Sequence, residues 1–237
     1  MSKIGKKHEE ALKLIDPAKA YSVNEAISNA KKAAHAKFDE TVELHLRMGV
    51  DPRASNQMVR GVAVLPNGLG KKMRVLVFTQ GEGVRIAQEA GADYVGADDL
   101  VKKIEAGWTD FDVAIATPDT MGKLGKLGKT LGRRGLMPNP KSGTVVPPPD
   151  LPRAIGDARK GRAEFKLDKT AGIHMPVGKI GFDEDKLAEN VDTALEAIAR
   201  AKPSGSKGQY IRTAYLSTTM GPGFKLDIKP ILALGGS

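Results

Sequence analysis

Cysteine is absent from the 237 residues, which removes disulfide frameworks, thiolate nucleophiles and cysteine-ligated zinc fingers together. Aromatic residues make up only 5% of the chain, with a single tryptophan, too few for a platform on which successive bases stack. No stretch approaches the ~18 consecutive apolar residues of a membrane span, so no membrane partner is expected. The basic start, Met1 to Lys7, lacks the apolar segment of a secretory signal. Histidine is sparse as well. His8, His35, His45 and His174 form no i,i+4 pair, so no metal site and no cofactor are expected, and His174 reads as a structural or backbone-bonding residue. The serines lack a nucleophile-elbow context, and no nucleophile, base and oxyanion site assemble in sequence, so no catalytic residue is expected.

What the chain has in excess is positive charge: 37 Lys and Arg against 28 Asp and Glu, a formal net charge of +9. The excess is spread evenly. Residues 1–67 carry 11 basic and 8 acidic side chains, residues 68–159 carry 14 and 11, and residues 160–237 carry 12 and 9. No segment is a basic tail on a neutral body, so the whole molecule is suited to a polyanionic partner. One run stands apart: Lys123, Lys126, Lys129, Arg133, Arg134 and Lys141 fall between Thr120 and Pro149 with no acid among them. Its ordinary reading is a solvated, glycine-rich loop, and the alternative is contact with a polyanion.

Apolar periodicity divides the chain. Ser22 and Glu25 read as a capping box opening an amphipathic helix over 23–36. Val42, Leu44, Leu46 and Met48 then alternate with Thr41, Glu43, His45 and Arg47, a strand with one wet face. A second strand is expected over 59–65. After the break at 66–70 the style changes to short continuous apolar strands, 73–79 and 111–117, separated by helices over 82–90 and 98–106, and followed by a helix near 151–159. That is a parallel sheet with helices on both faces. From about 161 the half-wet style returns: alternation over 162–167, a strand over 177–182, a helix over 183–201, and strands over 210–219 and 224–228. The expected fold class is therefore α/β with two domains. An outer α+β domain, 1–67 joined to 160–237, is interrupted by an inserted Rossmann-like domain, 68–159. Glycine-bearing crossings near 66–70 and 159–161 would permit a hinge.

The insert invites a nucleotide reading, but its motifs fall short. Gly81-Glu82-Gly83-Val84-Arg85-Ile86 has isoleucine at the third glycine position and an acid where pyrophosphate would lie. The stretch Gly122 to Thr130 ends in Gly-Lys-Thr, yet its first glycine sits one residue too far back for a phosphate-cradling loop. A nucleotide-dependent enzyme is the alternative reading, and a DNA-binding regulator has no recognisable helix motif in support. Recognition of folded RNA by shape, backbone and 2′-hydroxyl contacts fits the composition better. Two segments suit it: Lys37-Phe38-Asp39-Glu40-Thr41 and Ser217-Thr218-Thr219-Met220-Gly221-Pro222.

These segments belong to a larger set. Together with Val50–Arg53, Asn56–Gly61, Leu65–Lys71, Gly91–Gly96, Ala116–Asp119 and Leu131–Lys141 they make the chain resemble, over essentially its whole length, the bacterial ribosomal protein L-one family. In that family the Leu131-Gly132 stretch usually continues with proline, where this chain has Arg133. The resemblance implies a discontinuous outer domain clamping a structured element of 23S large-subunit rRNA, and an insert that binds no nucleotide. It also implies a mobile stalk beside other large-subunit components, contact with deacylated tRNA leaving the exit site, and repression of the protein's own operon mRNA. Carried onto this sequence, Phe38 packs near the sugar-phosphate surface and Thr41 supplies a hydroxyl, while Lys37 and Arg53 meet phosphate. Thr219 and Gly221 contact RNA backbone, with Met220 and Thr218 beside them, and Lys169 and His174 lie on the same face. The basic 123–141 run would touch rRNA or tRNA.

Overall fold

Ser22 opens the first long helix as its neighbours predict: its hydroxyl accepts from the Glu25 amide at 3.3 Å, and the Glu25 carboxylate accepts from the Ser22 amide at 3.4 Å. The structure is a computed structural model describing residues 5–16, 19–206 and 208–229, with the Lys141 side chain outside the description. In chain order come α1 (Lys6–Leu12), α2 (Val23–Ala33), β1 (Thr41–Met48), β2 (Arg60–Val64), β3 (Val75–Phe78), α3 (Glu82–Glu89), β4 (Tyr94–Gly96), α4 (Asp98–Glu105) and β5 (Val113–Ala116). The short helices α5 (Met121–Leu124) and α6 (Gly128–Arg133) follow, then α7 (Leu151–Gly161), β6 (Arg162–Lys166), β7 (Gly172–Lys179), α8 (Glu184–Arg200), β8 (Ile211–Thr218) and β9 (Phe224–Lys225). The fold is mixed α/β.

Two compact units emerge, residues 1–70 with 163–237, and residues 71–162. The expected division stood at 67/68 and 159/160. Helix α7 runs on to Gly161, whose φ of +106° only glycine adopts readily, and the second boundary moves with it.

In the split unit an antiparallel sheet has the order β7-β1-β8-β9, and β2 pairs with β6 in a separate sheet. Val42, Leu44, Leu46 and Met48 are buried as their alternation requires, against the apolar stripes of α2 and α8. The opposite face is open. Asn190 of α8, fully buried, ties the 66–70 turn to β7: it accepts from the Asn67 amide and donates to the Gly68 and Val177 carbonyls.

Four stretches differ from the sequence reading. α1 and β4 have no counterpart in it, because seven and three residues are too few for a period to show. β7 begins at Gly172 and stops at Lys179, instead of spanning 177–182. It contains Pro176, which the outermost strand of a sheet tolerates because one side needs no ladder amide. The 118–133 segment is largely helical, not a loop: Leu124, Leu127 and Leu131 lie buried at helical spacing, and its glycines sit on the wet side.

The inner unit carries a parallel sheet, order β4-β3-β5, with all four residues of β3 buried. Leu76, Phe78 and Ala114 pack on one side with Leu100, Ile104 and Leu124, while Val75, Val77 and Ile115 pack on the other with Ala87, Leu151 and Ile155. The glycines of the fingerprint-like segment have structural work here. Gly81 has φ +62°, and a Cβ on Gly83 would lie 2.1 Å from the Thr79 hydroxyl.

Asp112 anchors the start of this sheet. Burial raises its pKa, but hydrogen bonds from the Lys71 ammonium (2.6 Å) and from the Arg74 amide and guanidinium (3.1 Å each) outweigh burial and hold it at about 2. A depressed carboxylate stabilises above its unfolded value near ~3.9 and loses that contribution as pH falls towards the folded value. Asp112→Asn is therefore expected to cost about 1–2 kcal/mol at pH 7, allowing for screening of its exposed partners, and far less near pH 2. The single tryptophan, Trp108, packs on Tyr94 and Phe111 in this unit, so its fluorescence in urea reads the effect directly. Equal midpoints for variant and parent at pH 7 would remove Asp112 from the account.

Candidate nucleic-acid interface

The open face of the split sheet is built from alternate residues of its strands. In register across β7, β1 and β8 run Lys179–Thr41, then Pro176–Glu43–Ser217, then His174–His45–Tyr215, then Gly172–Arg47–Thr213. Along β1 this face is about 24 Å long at ~3.4 Å per residue.

At one end, two loops far apart in sequence are locked together. The Thr219 amide donates to the Thr41 carbonyl (3.1 Å), and the Thr41 amide donates to the Thr219 hydroxyl oxygen (3.0 Å). Beneath them lies Glu40, only 1% exposed. One of its oxygens accepts from the His35 and Ala36 amides, and the other accepts from the Met220 amide at 2.9 Å. Burial would raise this carboxyl, yet the Met220 amide, the Thr218 hydroxyl and the Ala36 and His35 amides together hold it below its ordinary value. This charged clamp fixes the loop carrying Lys37 and Phe38 against the loop carrying Thr219 and Met220. Phe38 and Met220 project into solvent, 55% and 52% exposed, although both are apolar. Lys37 is exposed, and the Thr41 hydroxyl accepts from Lys179 at 2.8 Å.

One expected contact residue is placed differently. Thr218 is buried, its hydroxyl accepting from the Gly221 amide at 3.1 Å, so it supports the loop from below. The Gly221 position demands glycine for an internal reason: a Cβ there would come within 2.3 Å of the Thr218 hydroxyl oxygen.

At the other end of the face, Arg53 and Lys169 line a cleft of about 330 Å³ with Arg47, Arg212 and Asp51. The Arg47 guanidinium donates to the Thr170 carbonyl. Arg47 and Arg212 were missed by the sequence reading, as were Glu40 and Lys179. The wet-face alternation of 41–48 contained the signal for Arg47, and nothing local marked Arg212. His174 sits midway and, against the expectation of a backbone-bonding role, bonds another histidine, His45. No group of three or more His, Asp and Glu able to hold a metal occurs among the described residues.

The basic run of the inner unit is a separate matter. Lys123 pairs with Asp98 at 2.9 Å and Arg134 donates to the Thr109 hydroxyl, whereas Lys126, Lys129 and Arg133 are exposed. Lys141 has its side chain outside the described set.

Hydroxyls and loop amides at one end, guanidinium and ammonium groups at the other, and two bare apolar tips define a protein whose open sheet face suits a folded polyanion. The chain belongs to the Ribosomal protein L1p/L10e family, whose profile matches residues 30–222, from within α2 to just past Gly221. It is 60% identical to a large ribosomal subunit protein uL1 of Dehalococcoides mccartyi over 233 residues, 98% of each chain. It is 55% identical over 236 residues to the protein of that name from Persephonella marina, covering 98% and 97%, and 53% identical over 229 residues to that from Thermomicrobium roseum, covering 96% and 95%. These relatives are ribosomal proteins and not enzymes, which sets aside the nucleotide-dependent alternative. No helix among the described residues is long and apolar enough to cross a membrane.

Proposed function

We propose that this ribosomal protein is a constituent of the large subunit and holds a structured element of 23S rRNA on the open face of its split sheet, on the cytoplasmic ribosome. The observation that carries this reading is the Glu40 clamp. A buried carboxylate holds two exposed loops, joined across 178 residues at Thr41 and Thr219, in one fixed shape. Rigid loops bearing amides, hydroxyls and two apolar tips suit contacts to sugar, backbone and 2′-hydroxyl groups. The cationic cleft adds the counterion-release term. Footprinting of the full-length chain on 23S rRNA tests the reading, and protection of no discrete element would defeat it.

The two ends of the face are expected to separate in salt titrations. Replacing both Arg53 and Lys169 by alanine should flatten the plot of log affinity against log salt by about 1.4–1.8 units, because each neutralised phosphate contributes ~0.7–0.9. Lys37→Ala should flatten it by about one such step. An unchanged slope removes the residue concerned from the phosphate contacts.

The same face is proposed to take a similar element in the protein's own operon mRNA and so repress its translation. That requires rRNA and mRNA fragments to compete for one site. The exposed Lys126, Lys129 and Arg133 of the inner unit are proposed to meet tRNA leaving the exit site. Converting all three to glutamine should weaken tRNA capture by subunits while sparing the affinity of the free protein for its rRNA fragment.

A further inference from the structure

At the centre of the open face, His45 Nδ1 and His174 Nδ1 lie 2.8 Å apart, a hydrogen bond between two rings on neighbouring strands. The outer nitrogens have polar neighbours as well. His45 Nε2 is 2.9 Å from the Ser217 hydroxyl and 3.7 Å from the Glu43 carboxylate, and His174 Nε2 is 3.7 Å from the Asp168 carboxylate. Gly172 makes room for this last approach: a Cβ there would meet both His174 Nε2 and Asp168. We propose that the His45–His174 pair is a subsite for an RNA phosphate, and that it takes up one proton as the phosphate binds. The proposal rests on the reading of this face as the RNA-binding surface.

Proton counting gives the reason. Two neutral imidazoles carry two N–H groups between four nitrogens, and the Nδ1–Nδ1 contact uses one of them. The second N–H can cover only one Nε2, so the other Nε2 is bare and faces a carboxylate, Glu43 or Asp168. One added proton gives three N–H groups: one lies between the rings, one points to the Ser217 hydroxyl, and the third, on His174 Nε2, is 3.7 Å from Asp168, too far for a hydrogen bond, and can be donated to a phosphate oxygen. A second added proton would set N–H against N–H at 2.8 Å and break the pair. The unit therefore accepts one charge and no more.

Its surroundings set where that charge lies. On β1 the pair faces Glu43 and Arg47, on β8 Tyr215 and Ser217, and on the turn before β7 Asp168; Lys225 of β9 lies opposite Tyr215. Burial and the neighbouring His174 push the His45 imidazole below its ordinary value, with Glu43 opposing them. His45 has 29% of its side chain exposed against 56% for His174, so the pair meets solvent, and an incoming phosphate, chiefly through His174. A phosphate laid across the centre favours this protonated form. Binding then tightens as pH falls through the histidine range and levels off once the free pair is already protonated.

The test is calorimetry of the full-length chain with its protected 23S rRNA fragment near pH 7, in two buffers of different ionisation enthalpy, which counts protons taken up. Wild type is expected to take up between about 0.3 and 1 proton per complex and to bind a few-fold to about tenfold more tightly at pH 6 than at pH 7.5. His174→Gln, at an exposed position, should bind with almost no uptake and a flat pH profile. His8→Gln and His35→Gln should retain both effects. Zero uptake by wild type, or uptake unchanged in His174→Gln, overturns the proposal while leaving RNA binding intact. Failure of wild type to bind the fragment at any pH overturns the underlying reading instead.

Discussion

Glu40→Gln is expected to weaken binding of the rRNA fragment by about 10- to 100-fold without changing its salt dependence. The carboxylate is an acceptor on both oxygens, taking two amides on one and the Met220 amide on the other. Glutamine replaces one oxygen with a donor, so at least one buried amide meets an N–H instead of a lone pair. Hydrogen bonds to a charged acceptor are worth about 1.5–3 kcal/mol, and leaving a buried donor unpaired costs about 1–3 kcal/mol. The loss falls on two loops together, because one side chain holds both. No phosphate contact is removed, so the slope against salt stays as it was. The clamp also has a pH signature. A carboxyl held below its ordinary value stabilises the fold above ~4.3 and loses that contribution as acid protonates it in the folded state, so the variant and parent should converge in stability at low pH. Wild-type affinity in Glu40→Gln would mean that the loops keep their shape without the clamp.

Thr219→Val should cost about 1–3 kcal/mol of rRNA binding, again at constant salt slope. The hydroxyl accepts from the Thr41 amide at 3.0 Å and donates to the Thr41 carbonyl at 3.4 Å, and the residue is exposed, so one oxygen lone pair is left for an RNA donor such as a 2′-hydroxyl. Valine keeps the shape and removes both functions: the Thr41 amide loses its partner and the RNA meets a methyl group. Thr219→Ser restores the oxygen and should return most of the affinity. Tight binding by the valine variant would strike Thr219 from the contact set, and a matching defect in the serine variant would point to shape instead of hydrogen bonding.

Much of this arrangement was legible from local pattern. The alternation over 41–48 marked both the strand and its wet face. The two segments around Lys37–Thr41 and Thr218–Gly221 stood out by the types of residue they gather. The expectation for 118–133 failed because glycine and lysine between leucines read as loop, whereas burial of Leu124, Leu127 and Leu131 supports a helical path. Thr218 was misplaced for a related reason: three consecutive hydroxyl residues look equivalent in sequence, but a strand sends alternate side chains to opposite faces. His174 looked structural while its partner, His45, lay 129 residues away.

Composition and periodicity alone determined that the chain is a basic α/β protein with half-wet strands flanking a doubly wound insert, since burial imposes its period on each element locally. Pairing across the split belonged to the tertiary structure: Thr41 with Thr219, Glu40 beneath both loops, His45 against His174, and Arg47 and Arg212 beside Arg53 and Lys169. Those contacts form only when strands from opposite ends of the chain lie side by side, and ladder register, which no local pattern encodes, decides which side chains meet.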